Sequence, residues 1–310
     1  VMGAADSFGA VYQYQAPVEG EDWTLTQRIV PADAGQHLGF GWDMDADGEW
    51  LVVGDATDSD RSTGAGAAYV FRRDATGTWI QHAKLLPFAE VPVRYFGRSV
   101  AIDDGRIVVG ASALWQGPRG VAHVFKLNAD RTAWEAEAFF QPNEVKDEDM
   151  FGAEVAIDGD CIVVGAMGIT SQPGDLNWHG AVYAYRLNPD TDTWGLEKRF
   201  LPPLLIPQQD LGFGASVVLD GDRLVVAAVK EIAQPGFGHK STLYFYAYDR
   251  RLRQWISEGS VSALRNSTFI HPSGWVALEG DTAVMQATFP YGNTFNAAWI
   301  CKRDDRGVWQ

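Results

Sequence analysis

The sequence predicts an all-β protein, a β-propeller built from about six copies of one four-stranded antiparallel blade. A Phe-Gly pair recurs at Phe40-Gly41, Phe96-Gly97, Phe151-Gly152 and Phe213-Gly214, in steps of 56, 55 and 62 residues. Tryptophan marks the same period independently, at positions 23, 79, 134, 194, 255 and 309. Between these markers, short apolar runs alternate with glycine-rich or acidic turns, a pattern typical of repeated antiparallel strands.

Each repeat contains four predicted strands, which the third copy illustrates. Strand a follows the Phe-Gly pair as Ser99–Ile102, and Asp103-Asp104-Gly105 supplies a tight turn whose residues tolerate positive φ. Strand b, Ile107–Gly110, is apolar throughout, so we expect both of its faces to be covered. Strand c, Val121–Phe125, alternates between two kinds of side chain, and strand d begins at the repeated tryptophan. Blades packed face to face satisfy this pattern.

The repeats divide a single predicted domain, 1–310, at roughly 1–39, 40–95, 96–150, 151–212, 213–272 and 273–310. The first repeat lacks strand a, and the last stops at the start of strand d. A seven-bladed architecture is therefore the alternative to six blades. Ser273-Gly274 is a degenerate copy of the Phe-Gly pair. A solenoid is disfavoured because its repeats are usually shorter.

Composition excludes several classes of protein. A hydrophobic fraction of 46% in 310 residues can bury a sizeable core. The net charge of −15 would repel phosphate backbones, so no nucleic acid partner is expected. No apolar run is long enough to span a membrane, and no signal peptide is visible. Cys161 and Cys301 lie in apolar strand patterns, which suits buried thiols and leaves a disulfide open.

Two segments carry a family resemblance. Phe96–Ala111 reads FGRSVAIDDGRIVVGA and resembles the FG-GAP motif of integrin α-subunit propellers and of many bacterial surface proteins. Phe151–Ala166 matches nearly as well, and Gly180–Tyr185 with its later tryptophan is closer to the bacterial style. The resemblance implies a non-enzymatic binding, adhesion or assembly module at a cell surface or in an extracellular structure, with a protein partner and a place in a larger assembly.

A calcium site is the one cofactor that the sequence suggests. Asp43, Asp45 and Asp47 form an Asp-x-Asp-x-Asp-Gly pattern like that of calcium loops. The family resemblance implies an Asp-rich loop between strands a and b, but here the turn is short, and alignment with the third repeat places Asp43 and Asp45 on strand a. Asp58 and Asp60 would add oxygens from the next loop. A polar hairpin without metal is the alternative.

The candidate binding face is defined by strand direction, which puts the b–c and d–a loops at one end of every blade. Binding residues often lie on loops held by a rigid scaffold. Aromatic and histidine side chains in the b–c loops could stack a sugar or anchor a protein; they are Trp115, Trp178, His179, Phe237, His239, Phe289 and Tyr291. Packing between loops is the alternative. Acidic residues such as Asp33 lie in the d–a loops.

Motifs of catalysis are missing from the sequence: it contains no metalloprotease or phosphate-loop pattern and no serine nucleophile in a catalytic context. Asp43 and Glu154 align at one strand-a position, where Ser99 and Ser216 stand in other repeats. Two such carboxylates would serve as acid and base only if they lay close together. We therefore predict a protein-binding module, with a carbohydrate-binding lectin as the first alternative and a propeller hydrolase or lyase as the second.

Overall fold

The computed structural model describes residues 2–4, 9–17, 22–33, 38–88, 91–113, 117–168, 180–203, 210–231, 239–262, 276–288 and 296–310. The chain divides into two compact units, Val1–Glu148 and Asp149–Gln310. This division falls next to the repeat boundary predicted at residue 150, and a single domain over the whole chain remains a prediction. A membrane-crossing helix is not found in the described ranges.

The first unit contains three antiparallel sheets. Sheet 1 consists of β1 (Met2–Ala4), β2 (Ala10–Gln15) and β3 (Thr24–Ile29). Sheet 2 consists of β4 (Phe40–Asp47), β5 (Trp50–Asp55), β6 (Ala67–Arg73) and β7 (Trp79–Leu85). Sheet 3 consists of β8 (Phe96–Asp103), β9 (Arg106–Ala111), β10 (Val121–Leu127) and β11 (Trp134–Phe140).

The second unit repeats the pattern. Sheet 4 consists of β12 (Phe151–Asp158), β13 (Cys161–Ala166), β14 (Ala181–Asn188) and β15 (Thr193–Phe200). Sheet 5 consists of β16 (Asp210–Asp220), β17 (Arg223–Glu231), β18 (His239–Asp249) and β19 (Gln254–Ser262). Sheet 6 consists of β20 (Val276–Glu279), β21 (Thr282–Thr288) and β22 (Asn296–Lys302).

Each sheet is a meander in which consecutive strands pair antiparallel, as the sequence predicts. In sheet 3, Val100 pairs with Val109 across the a–b turn, and Ile107 pairs with Phe125 on strand c. The fold is an all-β propeller of four-stranded antiparallel blades. Among the described residues, four sheets have four strands and two have three. The predicted number of six blades is not settled by this arrangement.

The core lies between neighbouring sheets. Strand β5 is buried along its whole length, as predicted for strand b. The alternation predicted for strand c serves two different interfaces. Tyr69 and Phe71 pack with Val11 of sheet 1, whereas the intervening Val70 packs with Phe96 of sheet 3. Because both faces are buried, each blade depends on its neighbours for most of its apolar burial.

The Phe-Gly pair forms the seam between two sheets. Phe96 is fully buried, and its backbone N–H donates a 2.9 Å hydrogen bond to the carbonyl of Ala65, in the β5–β6 loop of sheet 2. Gly97 has a φ of +86°, and a Cβ there would collide with the backbone carbonyl of Ala67. A parallel β-bridge joins Phe96 to Gly66 of sheet 2, and an equivalent bridge joins Phe213 to Gly180 in the second unit. The repeated glycine is therefore required by a backbone contact between blades.

Both cysteines are buried free thiols, so the possible disulfide does not form. Burial raises the pKa of the Cys161 thiol to about 12, which keeps it protonated at neutral pH. Cys301 packs in the core between sheets 5 and 6 with Ala283 and Phe245. Neither thiol is suited to nucleophilic chemistry in this state.

We expect Gly97→Ala to destabilise the protein more than Gly48→Ala. Gly48 also has a positive φ, +56°, but an added Cβ there meets no neighbouring atom within 4 Å. Its substitution should therefore cost only the left-handed backbone penalty, about 1–2 kcal/mol. Gly97→Ala should add the collision, worth about 1–3 kcal/mol more. Urea denaturation of both variants measures the difference, and equal losses would refute the seam contact.

Candidate functional site

Most of the predicted binding aromatics lie outside the described residues. These are Trp115, Trp178, His179, Phe237, Phe289 and Tyr291. His239 is the first residue of β18, where its backbone pairs with Glu231. Their role in binding a partner or a sugar therefore stays a prediction.

Asp43, Asp45 and Asp47 lie on strand β4, as the alignment of repeats predicts. Their carboxylates accept hydrogen bonds from alternate backbone N–H groups along β8 and the turn that follows it. The Oδ2 atom of Asp43 accepts from Val100 at 2.8 Å, that of Asp45 from Ile102 at 2.8 Å, and that of Asp47 from Asp104 at 3.1 Å. Since alternate residues of a strand share one face, these carboxylates follow the strand and do not converge on one point.

This carboxylate ladder covers the edge of the innermost strand of the next blade. An uncovered strand edge exposes N–H groups that pair readily with other chains. One rung of the ladder recurs in the second unit, where Asp158 accepts from Gly221 at 2.8 Å and Asp220 from Gly280 at 2.5 Å. The acidic residue before three of the a–b turns therefore has two roles, in its own hairpin and in the seam between blades.

The geometry does not assemble the predicted calcium site from Asp43, Asp45 and Asp47. In the described parts of the chain, one group of three acidic residues brings its ligand atoms within 4.8 Å of one another, and it consists of Asp33, Asp58 and Asp60. The sequence predicts Asp58 and Asp60 only as additional ligands and places Asp33 among the acidic residues of the d–a loops. The acidic residues that converge on one point therefore lie in the loops and not on strand a.

A lysine ammonium lies at the centre of this group. The Nζ atom of Lys84 is 2.7 Å from Asp33, 2.8 Å from Asp58 and 2.6 Å from Asp60. The Tyr69 hydroxyl donates to the same Oδ2 atoms of Asp33 at 2.9 Å and Asp58 at 3.1 Å, as alternative acceptors. We call these five residues the Lys84 cluster. It joins the loop after β3, the β5–β6 loop and strands β6 and β7 at the loop end of sheets 1 and 2.

The pKa shifts in the Lys84 cluster show that its acidic and basic groups stabilise one another's charged forms. Burial opposes the ionisation of Asp33, but hydrogen bonds from Lys84 and Tyr69 outweigh it and lower the pKa of that carboxyl. Burial also opposes the charge of Lys84, yet its hydrogen bonds to the three carboxylates raise the pKa of the ammonium. Burial and the neighbouring acids raise the pKa of the Tyr69 phenol. The lowered pKa of Asp33 and the raised pKa of Lys84 keep this ion pair charged at neutral pH.

The Lys84 cluster is therefore suited to hold charge rather than to transfer protons. The ammonium lies where a metal ion would sit among the three acids, and its three donors face three acceptors. Asp60 is mostly exposed, so the excess negative charge faces solvent. Lys84 and Tyr69 were not singled out from the sequence, because a lysine on an outer strand and a tyrosine on strand c are unremarkable there.

Two large apolar side chains are exposed near this cluster. Trp42 is 51% exposed and Leu38 is 58% exposed. The intervening Gly39 donates a 2.9 Å hydrogen bond to the Thr57 hydroxyl, next in sequence to Asp58, so this segment adjoins the β5–β6 loop. Residues at the position of Trp42 in other repeats are buried, namely Arg98, Ala153 and Ala215. A sequence signal existed, because among the four Phe-Gly pairs that open strand a only this one is followed directly by tryptophan, although Trp275 also follows the degenerate pair Ser273-Gly274.

A cavity of about 400 Å³ lies at the other end of sheet 2, near the c–d turn. It is lined by Glu49, Arg72, Arg73, Asp74, Ala75, Ile80, Gln81 and His82. Glu49 forms ion pairs with Arg72 at 2.9 Å and Arg131 at 2.8 Å. Because these charges already neutralise one another, the cavity is a weaker candidate for an ionic ligand than the loop end.

The repeated units match a known family model. Residues 23–71, 79–125 and 134–185 match the FG-GAP repeat. The chain contains FG-GAP repeats. The match covers the Phe-Gly seams at Phe40 and Phe96 and extends through strand c of sheet 4, so the resemblance read from Phe96–Ala111 and Phe151–Ala166 is confirmed.

Solved structures share the fold of this FG-GAP protein at low sequence identity. A Lactobacillus plantarum protein is 15% identical with a TM-score of 0.60, over 98% of this chain and 77% of its own. A “putative 6-phosphogluconolactonase” from Bacteroides uniformis is 13% identical with a TM-score of 0.54, over 99% and 78%. At these identities the likeness establishes the fold alone. The comparison with curated proteins finds no match.

We expect Lys84→Met to destabilise the FG-GAP protein by about 2–3 kcal/mol, somewhat less than the loss of one partner from a fully buried pair, because the cluster is partly solvated. The matched control is Arg72→Met, which removes an exposed ion pair with Glu49 and should cost under about 1 kcal/mol. Urea denaturation at pH 7 measures both losses. Equal losses would contradict the central role of Lys84.

The loss from Lys84→Met should also depend on pH. Because the contacts with Lys84 lower the pKa of Asp33, their stabilisation is present at neutral pH and disappears as the pH falls through that lowered pKa. The difference in unfolding free energy between wild type and Lys84→Met should therefore shrink in acid. A difference that stays constant down to pH 2 would refute the electrostatic origin.

Asp43 should change the stability of the fold with pH in the direction opposite to Asp33, because its pKa is raised rather than lowered. Burial raises its pKa from 3.8 to about 6, although N–H groups of Val100 and Met44 partly offset that effect. The ionised form is thus disfavoured in the fold, and wild type should lose on the order of 3 kcal/mol as the pH rises from about 4 to above 6. Asp43→Ser, which copies the serine of the third and fifth repeats, should lack this loss. If the unfolding free energies of wild type and Asp43→Ser changed with pH in parallel, the assignment of this loss to Asp43 would be wrong.

Proposed function

We propose that this FG-GAP protein is a non-enzymatic binding module whose loop end, at sheets 1 and 2, contacts a protein partner. The observation that supports the proposal best is the exposure of Trp42 and Leu38 on the segment that is hydrogen-bonded through Gly39 to the β5–β6 loop. The loop end was the expected location of function from strand direction. The particular residues were supplied by the structure.

The apolar part of this surface has the composition of a protein contact. Tryptophan is enriched among residues that dominate binding energy, because it buries a large area with little conformational entropy to lose. Trp42 offers a half-exposed indole and Leu38 an exposed aliphatic side chain on one short segment. The residues at the position of Trp42 in three other repeats are buried, so its exposure is local to this blade.

The charged part of the surface favours a basic partner. The Lys84 cluster has more acid than base, its Asp60 is exposed, and the whole chain has a net charge of −15. Complementary charge accelerates association and excludes like-charged competitors. We therefore expect the partner to present an apolar pocket for Trp42 with lysine or arginine side chains near it.

The described ionisable groups give less support to catalysis. Lys84 donates to three carboxylates, and Asp43 accepts hydrogen bonds from two backbone N–H groups. Groups engaged in this way are held in place rather than available as a base or nucleophile. The lectin alternative depends on loop aromatics outside the described residues, and it enters the experiment as a separate outcome.

Location and blade number are part of the same proposal. FG-GAP repeats resemble those of adhesive surface proteins, so we propose an adhesion or assembly role at a cell surface or in an extracellular structure. We keep six as the proposed number of blades, because six sheets follow the period of the repeated tryptophan.

A photo-crosslinking experiment tests the partner-binding face. The photoreactive residue p-benzoylphenylalanine replaces Leu38 in one protein and Leu196, which is 50% exposed on β15, in the control. Both proteins are irradiated with a cell-surface protein extract, and crosslinked products are identified by mass spectrometry. We expect a discrete protein product from position 38, absent from position 196 and reduced at least about tenfold by Trp42→Ala, as befits a hot-spot residue.

A glycan array and a turnover screen with sugar lactones complete the test. Trp42-independent glycan binding without a protein product would favour the lectin alternative. Turnover that persists in Trp42→Ala would favour the hydrolase alternative. A thermal melt of Trp42→Ala within about 2 °C of wild type shows that lost binding is not unfolding, because exposed substitutions change stability little.

A further inference from the structure

The residue three positions after the repeated tryptophan lies at a β-bulge of strand d, where the register with strand c shifts. It is a glutamate in sheets 3, 4 and 5, namely Glu137, Glu197 and Glu258, and each glutamate pairs with an arginine at 2.7–3.2 Å. Sheet 2 has His82 at this position, and sheet 1 has Thr26. The repeat thus places a carboxylate here in three blades and a histidine in sheet 2.

In the second unit this glutamate connects its own blade to the next one. Glu197 accepts a hydrogen bond from the Arg186 guanidinium on strand c at 3.2 Å and one from the Nε1–H of Trp255 in sheet 5 at 2.9 Å. Glu258 of sheet 5 likewise accepts from the Nε1–H of Trp309 at 3.0 Å. The carboxylate therefore serves two donors, an arginine and an indole, and a buried indole N–H without an acceptor would be costly.

Sheet 2 keeps both donors of this arrangement but has His82 in place of the carboxylate. Arg72 occupies the strand-c position of the sheet 4 arginine, and Trp134 of sheet 3 occupies the position of the sheet 5 indole. The Nε1 atoms of Trp134 and Trp50 and the Nδ1 atom of His82 are buried, and none of the three has a hydrogen-bond partner within the described ranges. Trp50 packs edge-on against His82 at 4.8 Å and against Trp134 at 5.3 Å, so the three rings adjoin one another.

The cavity of about 400 Å³ at the c–d turn of sheet 2 adjoins these rings, because His82 and Arg72 both line it. Small-molecule sites usually enclose about 300–1,000 Å³, so the volume suits a small organic ligand. Ile80, which is 55% exposed, and Ala75 supply apolar surface to the same wall. The cavity therefore combines donors for an anionic group with an apolar surface for the rest of a molecule.

The arginines around this cavity outnumber the carboxylates available to them. Glu49 is shared between Arg72 at 2.9 Å and Arg131 at 2.8 Å. Arg73 donates to a turn carbonyl at 3.2 Å and forms no ion pair in the part of the chain that the structure describes. Asp74 also lines the cavity, but its Oδ1 atom accepts three hydrogen bonds from its own turn. The Glu49 ion pairs thus weaken the attraction for an anion without cancelling it.

We propose that this cavity binds a small organic carboxylate, which takes the role that the strand-d glutamate has in other blades. Its oxygens accept hydrogen bonds from the Arg72 guanidinium and the Trp134 indole, the two donors that correspond to those of Glu197. Arg73 adds positive charge, and the apolar part of the ligand packs on Ile80. The cavity and the proposed partner surface lie at opposite ends of sheet 2, so either can fail without the other.

Titration of the full chain with hydrocinnamate tests the proposal, and hydrocinnamamide, which has a similar shape without the charge, is the control ligand. The indole groups are labelled with ¹⁵N, and the Trp134 signal is assigned by its loss in Trp134→Phe. We expect the acid to move the Trp134 N–H signal saturably downfield and the amide to bind at least about tenfold more weakly, because a charged acceptor forms the stronger hydrogen bond. The signals of Trp255 and Trp309, which already donate to glutamates, should not move.

Two variants connect the binding to these residues. Arg72→Met should weaken binding of hydrocinnamate by about tenfold or more, because it removes a charge-assisted hydrogen bond. The matched control is Arg250→Met, which removes another exposed ion pair, with Asp222, and should leave the affinity unchanged. His82→Glu installs the glutamate of the other blades. It should therefore shift the Trp134 signal in the same direction as the ligand does and abolish binding of the acid.

Three other results would overturn the proposal. An unchanged Trp134 signal at millimolar hydrocinnamate, or equal binding of the acid and the amide, would show that the cavity does not recognise a carboxylate. Full affinity in Arg72→Met would exclude the arginine as its partner. Binding of inorganic phosphate as tight as that of hydrocinnamate would indicate a general anion site in which the apolar wall has no role. Because Arg72→Met removes only an exposed ion pair and should fold, these results decide the question even if His82→Glu does not fold.

Discussion

The close approach of two backbones at the Phe-Gly pairs of Gly97 and Gly214 is the contact on which the rest of the structure depends. Where Gly97 passes the carbonyl of Ala67, there is no room for a Cβ, and the residue adopts a positive φ that glycine tolerates at little cost. The adjacent Phe96 fills the core of the same seam. Blade spacing, and with it the burial of strands b and c, follows from this one contact.

The seams also explain why an acidic protein can carry aspartates on its innermost strands. Buried carboxylates are costly unless they accept hydrogen bonds, and an uncovered strand edge offers N–H groups that need acceptors. The ladder from Asp43 to Asp47 gives the N–H groups along β8 their acceptors and offsets part of the cost of burying these carboxylates. A pattern that resembles a calcium loop in sequence thus serves as a connection between blades, because its oxygens are spread along a strand.

The loop end shows the complementary arrangement, in which three acids do converge and a lysine joins them. Lys84 is long enough to reach Asp33, Asp58 and Asp60 from strand β7, and its ammonium needs the acceptors as much as the acids need a cation. The same end of the sheets exposes Trp42. A rigid, charged loop region beside an exposed indole is a reasonable basis for recognition of a protein partner.

The sequence by itself determined the repeat, the four strands of each blade, the position of the tight turns and the FG-GAP family. These depend on local pattern, because strand alternation, glycine and turn residues act over a few positions. Only the tertiary structure decided which acids meet. Asp33 and Lys84 are 51 residues apart in sequence, and their contact depends on how sheets 1 and 2 pack. The same reason applies to His82 and Glu197: they occupy equal positions in the repeat, but the cavity beside His82 is formed by side chains from a turn and two strands together, and no local pattern specifies that.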